Sequence, residues 1–380
     1  MKKRTTIISI WVLAISMWSL TVIAAEPIRI GSPLLLSGRG AFVGGAEKDT
    51  FEMLTAELNA AGGINERPVE FVFYDTEGKP DVAVRMVTRL IQKDKVDAII
   101  GISTSWTAMP AIPIVEKYRV PTIMLGSASS IVNPVRKWVF KTPVDDTIVV
   151  GKLLSDMHAK GIQQIALMSS QDGFGDGGRQ QLVDQAAGYG MKIVFDDKYT
   201  MEDTDLTPML NKIKKTNAQA VVNWSSSRAP VIVTMNYRQI GLDLPLYQAH
   251  STLSKAYLDA SGKNAEGVKT AGFKFYGAAD LPDSDPQKKI ILDYQKAYKD
   301  KFGKDANQFG AAAYDAFNIM VAAMKKAGTD KEKLRSAIEK TSGYVGIAGV
   351  FNYTPDNHGG LSAENMVIYQ VSGQEWKIIN

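Results

Sequence analysis

Apolar runs of strand length alternate with amphipathic segments along most of this 380-residue chain. Strand-like runs fall at 28–35, 69–74, 98–102 and 122–124, and again at 165–169, 193–195, 220–224 and 246–247. Between the second and third, Ala83, Met86, Val87, Leu90 and Ile91 share one helical face, with Arg85, Arg89 and Lys93 towards solvent. Such alternation predicts βαβ units, hence mostly parallel sheets covered on both faces. The first unit, 27–75, is the most compact: a strand, a glycine-rich loop, a helix stopped by Ala61-Gly62-Gly63, and a second strand. Glycine takes the left-handed conformation that ends a helix without steric cost.

The chain length favours two domains. One seam falls near Lys141-Thr142-Pro143 and a second near 273–277, after which the pattern turns helical at 286–302, 309–327 and 331–340. A third is expected around 346–351, ahead of late strands at 366–371 and 376–379. No low-complexity linker lies at any seam, so each reads as a strand passing between two lobes, and together they make a hinge. The expected division is 25–143 plus 276–350 for one lobe and 144–275 plus 351–380 for the other.

The N-terminus changes the picture by removing residues from the fold. Lys2, Lys3 and Arg4 precede an apolar stretch at 7–23, and Val22-Ile23-Ala24-Ala25 offers small residues for cleavage after Ala24 or Ala25. A cleaved export signal over 1–24 is expected; the alternative is a retained membrane anchor. Removing it takes three basic residues and no acid, so 44 basic against 40 acidic side chains becomes 41 against 40. That near-neutral balance leaves no electrostatic footprint for nucleic acid or anionic lipid. Cysteine is absent, which excludes a lipid-anchored N-terminus, and about 355 residues can bury large cores without disulfides. The expected location is the periplasm.

Seven segments together carry a family resemblance: SGRGAFVGG, AELNAAGGINERPVEFVFYD, DAIIGISTSWTAMPA, VPTIMLGSASS, WVFKTPVDD, DGFGDG and AEGVKTAG. In order and spanning nearly the whole mature chain, they resemble the leucine/isoleucine/valine-binding family, the type I periplasmic solute receptors of ABC importers. The resemblance implies two doubly wound parallel-sheet lobes joined by three hinge strands. It also implies a monomer that holds its ligand in the cleft and hands it to an inner-membrane permease.

In open α/β sheets ligands bind beyond the carboxyl ends of the strands, so the loops there carry the chemistry. The loop 101–106 opens a helix whose free N–H groups, with the Ser105 and Thr107 hydroxyls, suit a carboxylate, and Thr104 and Trp106 are expected in the same site. Ser105 matches the family's carboxylate-binding serine, although serine also serves as a plain helix cap. The next strand is followed by Gly126-Ser127-Ala128-Ser129-Ser130; Ala128 stands where amino-acid receptors of the family usually carry threonine, so Ser127 or Ser129 would have to supply the hydroxyl. The other lobe is expected to contribute Phe174, where the family often has tyrosine, Trp224, Ser226 and His250. Trp224 could equally be core. The loop 37–45, with Phe42 and Val43, is expected on the cleft rim.

His250 falls where amino-acid receptors of the family tend to place an acid for the ligand's ammonium group. An ammonium buried without a counter-charge costs several kcal/mol, set against about 8 kcal/mol for micromolar binding as a whole. A carboxylate without an α-amine, aromatic or branched and hydrophobic, is therefore the expected ligand. Asp172 could yet supply the missing acid, and His250 could be a plain loop histidine. The alternatives are a branched-chain amino acid, an amide or urea, or a sensor that signals without transport.

Enzyme chemistry finds little support. Gly38, Gly40 and Gly44 give GxGxxxG, not the dinucleotide spacing, and no GxSxG, Walker or HExxH motif occurs. No cofactor is expected. Of the three histidines, His158 reads as a helix C-terminal residue and His358 as a turn residue.

Overall fold

The computed structural model describes residues 26–38 and 40–379, so the expected export signal lies outside the described residues. Strands β1 (Ile28–Leu34), β2 (Val69–Asp75), β3 (Ala98–Gly101), β4 (Thr122–Met124) and β5 (Val139–Lys141) form a parallel sheet in the order β2-β1-β3-β4-β5. Helices α1 (Ala41–Ala60), α2 (Pro80–Gln92) and α3 (Ser105–Tyr118) make the first crossovers. The order reverses between β1 and β3, and at such a switch point the loops leaving the two strands diverge and open a crevice.

After α4 (Asp146–Ala159) the same topology repeats. β6 (Gln164–Ser170), β7 (Lys192–Tyr199), β8 (Ala220–Trp224), β9 (Leu246–Gln248) and β10 (Lys269–Phe273) are parallel in the order β7-β6-β8-β9-β10, with α5 (Gly173–Ala186), α6 (Thr207–Ile213), α7 (Ala229–Gln239) and α8 (Lys255–Ser261) between them. Its switch point lies between β6 and β8. Helices α9 (Lys288–Phe302), α10 (Gln308–Ala327) and α11 (Lys331–Glu339) then return to the first sheet. Tyr294 of α9 meets Thr50 of α1 hydroxyl to hydroxyl at 2.7 Å. Gly310 lets α10 press onto α1, since a Cβ there would lie 2.8 Å from Thr50 Oγ1.

A short ribbon, β11 (Tyr344–Val345) with β12 (Val350–Phe351), precedes β13 (Met366–Ser372) and β14 (Glu375–Ile378), which extend the second sheet antiparallel beyond β10. The third passage between sheets comes later than 346–351. After β12 the chain covers the edge of β5: Tyr353 donates to the Lys141 carbonyl at 2.8 Å, and Lys141 N–H donates to the His358 carbonyl at 3.1 Å. An edge strand has unpaired backbone groups that need such cover. His358 is accordingly more than a turn residue: its ring is buried, stacked 4.1 Å from Phe140.

One continuous apolar core runs from β1 and α1 through Phe140 of β5 to α4, β6 and β10. Separate clusters fill the far face of each sheet. No helix among the described residues is long and apolar enough to cross a membrane.

Candidate binding cleft between the two sheets

The loops at the two switch points face each other. Gly173, which opens α5, lies so close to the start of α3 that a Cβ on it would sit 3.5 Å from Trp106 Cα. The cleft between them encloses about 710 Å³, counting its mouth towards solvent.

On the first-sheet side, Gly126 allows the loop after β4 to pass against α3; a Cβ there would be 2.9 Å from Ser105 N. Ser105 Oγ accepts the Ala128 N–H at 3.0 Å, which leaves its own O–H free to donate. Ser105 is buried and lines the cleft with Thr104 and Trp106. The α3 start has no side-chain cap, so its first N–H groups remain available to an anion. Trp106 donates Nε1–H to the Gly78 carbonyl at 3.0 Å, which fixes its ring as a wall. Phe42 and Phe309 meet edge to face at 5.7 Å, and Val43 lines the cleft with them. The Ser127 carbonyl accepts from Lys141 Nζ at 2.6 Å, and that fully buried cation stands 3.4 Å from Asp145 Oδ2.

From the second sheet come Phe174, Ser226 and His250. Phe174 and His250 pack edge to face with ring centres 5.4 Å apart. Burial, with Lys141 nearby, pushes the His250 pKa down to about 3, so the ring is neutral. A neutral imidazole has one donor and one acceptor nitrogen. Neither His250 Nδ1 nor Ser226 Oγ has a hydrogen-bond partner among the described residues, although both atoms are buried.

Among the described residues, one acid lines the cleft. Glu47 on α1 is 1% exposed, and Ser103 Oγ donates to its Oε2 at 2.5 Å while accepting the Leu35 N–H at 3.0 Å. Burial pushes the Glu47 pKa up to about 8, with the Ser103 bond pulling the other way. Gln308 of α10 also lines the cleft and donates to the His250 carbonyl across it at 2.7 Å.

A periplasmic binding protein family model matches residues 27–375. The chain belongs to this family. Among its relatives, the leucine-, isoleucine-, valine-, threonine- and alanine-binding protein of Pseudomonas aeruginosa is 24% identical over 371 residues, covering 94% of this chain and 93% of its own. An extracellular ligand-binding receptor from Rhodopseudomonas palustris, 26% identical, superposes with a TM-score of 0.87 over 93% of this chain and 99% of the other. The branched-chain amino acid transporter substrate binding protein LivJ of Streptococcus pneumoniae, solved with isoleucine, has a TM-score of 0.81 at 21% identity over 92% of this chain and 98% of the other. These matches place this periplasmic binding protein in the leucine/isoleucine/valine-binding family and give it the type I fold.

Two of the expected site residues stand behind the cleft instead of in it. Trp224 is fully buried beneath Phe174 and His250, with ring centres 5.8 Å from each, and Gly178 of α5 abuts its indole. Ala128 is buried, and its methyl carbon would be 3.4 Å from a Cβ on Gly177 of α5. Asp172, the other acid considered for an amine, caps α5 through the Phe174 and Gly175 N–H groups at 2.8 and 3.0 Å and does not line the cleft. Glu47 and Gln308 were missed by reasoning from strand ends, because both sit on helices. Glu47 had a signal: a charge one turn after Val43, on the face that continues through Thr50 and Leu54 into the core.

Proposed function

We propose that this periplasmic binding protein captures a small aromatic or hydrophobic carboxylate lacking an α-amine, and delivers it to an inner-membrane ABC permease. The observation that carries this reading is the neutral His250 on the second-sheet side, opposite a Ser105 hydroxyl free to donate. The ligand carboxylate takes the Ser105 O–H and the uncapped N–H groups of α3, where the helix dipole adds about 0.3 to 1 kcal/mol. Trp106, Phe42, Phe309 and Phe174 supply the apolar wall for its body. Ser226 and His250 add their unpartnered polar atoms as the second sheet closes over it.

Closure is selection of a state that the ligand stabilises by contacts with both sheets. In this reading 26–143 plus 276–358 move as one body and 144–275 plus 367–379 as the other, with 359–366 as the third hinge segment. The receptor acts as a monomer in the periplasm, without catalysis or cofactor.

A branched-chain amino acid is the second reading. It is favoured by Glu47, an acid in the cleft that could serve an ammonium group once ionised, and by what the relatives are named for binding. A thermal-shift screen of the mature protein with benzoate, phenylpropanoid acids, leucine, valine, their keto acids and urea separates the two. A ligand at about 100 times its dissociation constant stabilises by about 2.7 kcal/mol. Stabilisation by the amine-free acids is expected; stabilisation confined to leucine and valine selects the second reading.

A further inference from the structure

Glu47 is the one charged side chain lining the cleft among the described residues. Its Oε2 is committed to Ser103, whose hydroxyl must donate because it already accepts the Leu35 N–H. Its Oε1 forms no hydrogen bond among the described residues. Ser103 stands two residues before Ser105, so this free carboxyl oxygen is on the same side as the carboxylate donors.

We infer that Glu47 decides the charge class of the ligand: it keeps its proton and donates it to a bound carboxylate, and must release that proton to accept an ammonium-bearing ligand. The first half rests on the carboxylate reading above; the second holds if that reading fails.

The neighbouring charges are otherwise engaged. On α1, Lys48 pairs with Glu52, and Asp49 is held by Lys304 and the Tyr298 hydroxyl. On α10, Asp315 takes the Ile347 and Ala348 N–H groups. From the hinge, Lys141 pairs with Asp145, and across the cleft His250 is neutral. None of these is hydrogen-bonded to Glu47. Two carboxylates cannot both ionise at close quarters in a water-poor site without a cation between them. With the proton on Glu47 they form a charge-assisted O–H···O⁻ bond instead.

The sign of the pH dependence follows. A carboxylate raises the Glu47 pKa above its unliganded value of about 8, so affinity is flat below that pH and falls above it as binding takes up a proton. An ammonium lowers that pKa, so affinity rises up to about pH 8 as binding releases one.

The test is calorimetric titration of the wild type and Glu47→Gln with benzoate, 4-methyl-2-oxopentanoate and leucine, between about pH 6 and about pH 9.5. For the amine-free acids, wild-type affinity should fall up to about tenfold per pH unit above about pH 8, whereas Glu47→Gln has a flat profile. Parallel profiles in the two proteins overturn the inference. If only leucine binds, the carboxylate reading fails, while Glu47 is still decided: affinity rising with pH and lost in Glu47→Gln supports its role, and a flat wild-type profile overturns it. Proton uptake, read from wild-type heats in phosphate against Tris buffer, checks the result without a variant; no uptake above about pH 8 with a binding amine-free acid contradicts it.

Discussion

Gln308 Nε2 donates to the backbone carbonyl of His250 at 2.7 Å, tying the first turn of α10 to the loop after β9 on the opposite sheet. Both residues are buried and both line the cleft. The bond joins the two sheets across the cleft, so in the proposed mechanism it favours the closed state. Gln308→Ala removes about 1 kcal/mol of that preference. Ligand affinity should fall about fivefold, and small-angle scattering of the unliganded variant should show a larger radius of gyration than wild type. Unchanged affinity would mean that this contact is indifferent to closure.

Ser105 holds the loop after β4 through its Oγ and lines the cleft with its O–H free to donate. Ser105→Ala loses a hydrogen bond to a charged ligand, about 1.5 to 3 kcal/mol, so carboxylate binding should weaken about 10-fold to 150-fold by calorimetry. Retained affinity would place the carboxylate elsewhere.

Trp224 supports the site from behind. Truncating it to alanine should cost about 3 to 5 kcal/mol of stability in thermal or chemical unfolding, because it leaves a cavity beneath Phe174 and His250. A milder probe is Gly178→Ala, whose Cβ would lie 2.1 Å from the indole. Overpacking of this kind costs about 1 to 3 kcal/mol and should shift the Trp224 fluorescence. Loss of affinity without loss of stability in both variants would return Trp224 to the cleft itself.

Stability should fall with rising pH across the neutral range. Burial raises Asp315 from 3.8 to about 7 and Glu47 from 4.5 to about 8, and it raises Asp146 with the help of the Asp145 charge. Each raised group favours the folded state fully below its unfolded pKa, and that contribution is lost as pH climbs through the folded value. Asp145 is lowered, against its own burial, by the Lys141 charge and the Thr147 bonds, so its contribution is lost only at acid pH. The opposite contribution of the buried neutral His250 is complete by about pH 6.5, so the melting temperature of the unliganded protein should decline from about pH 6.5 to about pH 8, more gently in Asp146→Asn. A rise over that interval would contradict these burial effects.

Strand order and crossover pattern were legible because buried parallel strands read as unbroken apolar runs, as at 98–101 and 220–224. The cleft loops were legible because they must follow those strands, which placed Ser105, Ser127, Phe174, Ser226 and His250. The late third passage was not, since covering the β5 edge depends on long-range pairing of Lys141 with Tyr353 and His358. Nor does linear sequence tell a strand-end tryptophan that faces a cleft from one that faces a helix; Gly178, forty-odd residues earlier, decides it for Trp224. Glu47 and Gln308 enter the cleft only through the packing of α1 against α10.

The most direct measurement is calorimetric titration of the protein at neutral pH with leucine and with 4-methyl-2-oxopentanoate, which share a side chain and a carboxylate and differ by the amine. A cleft with neutral His250 and protonated Glu47 predicts binding of the keto acid and at least about tenfold weaker binding of leucine, the cost of taking the proton from Glu47 at neutral pH. Leucine binding as tightly as the keto acid, or more tightly, would contradict the account.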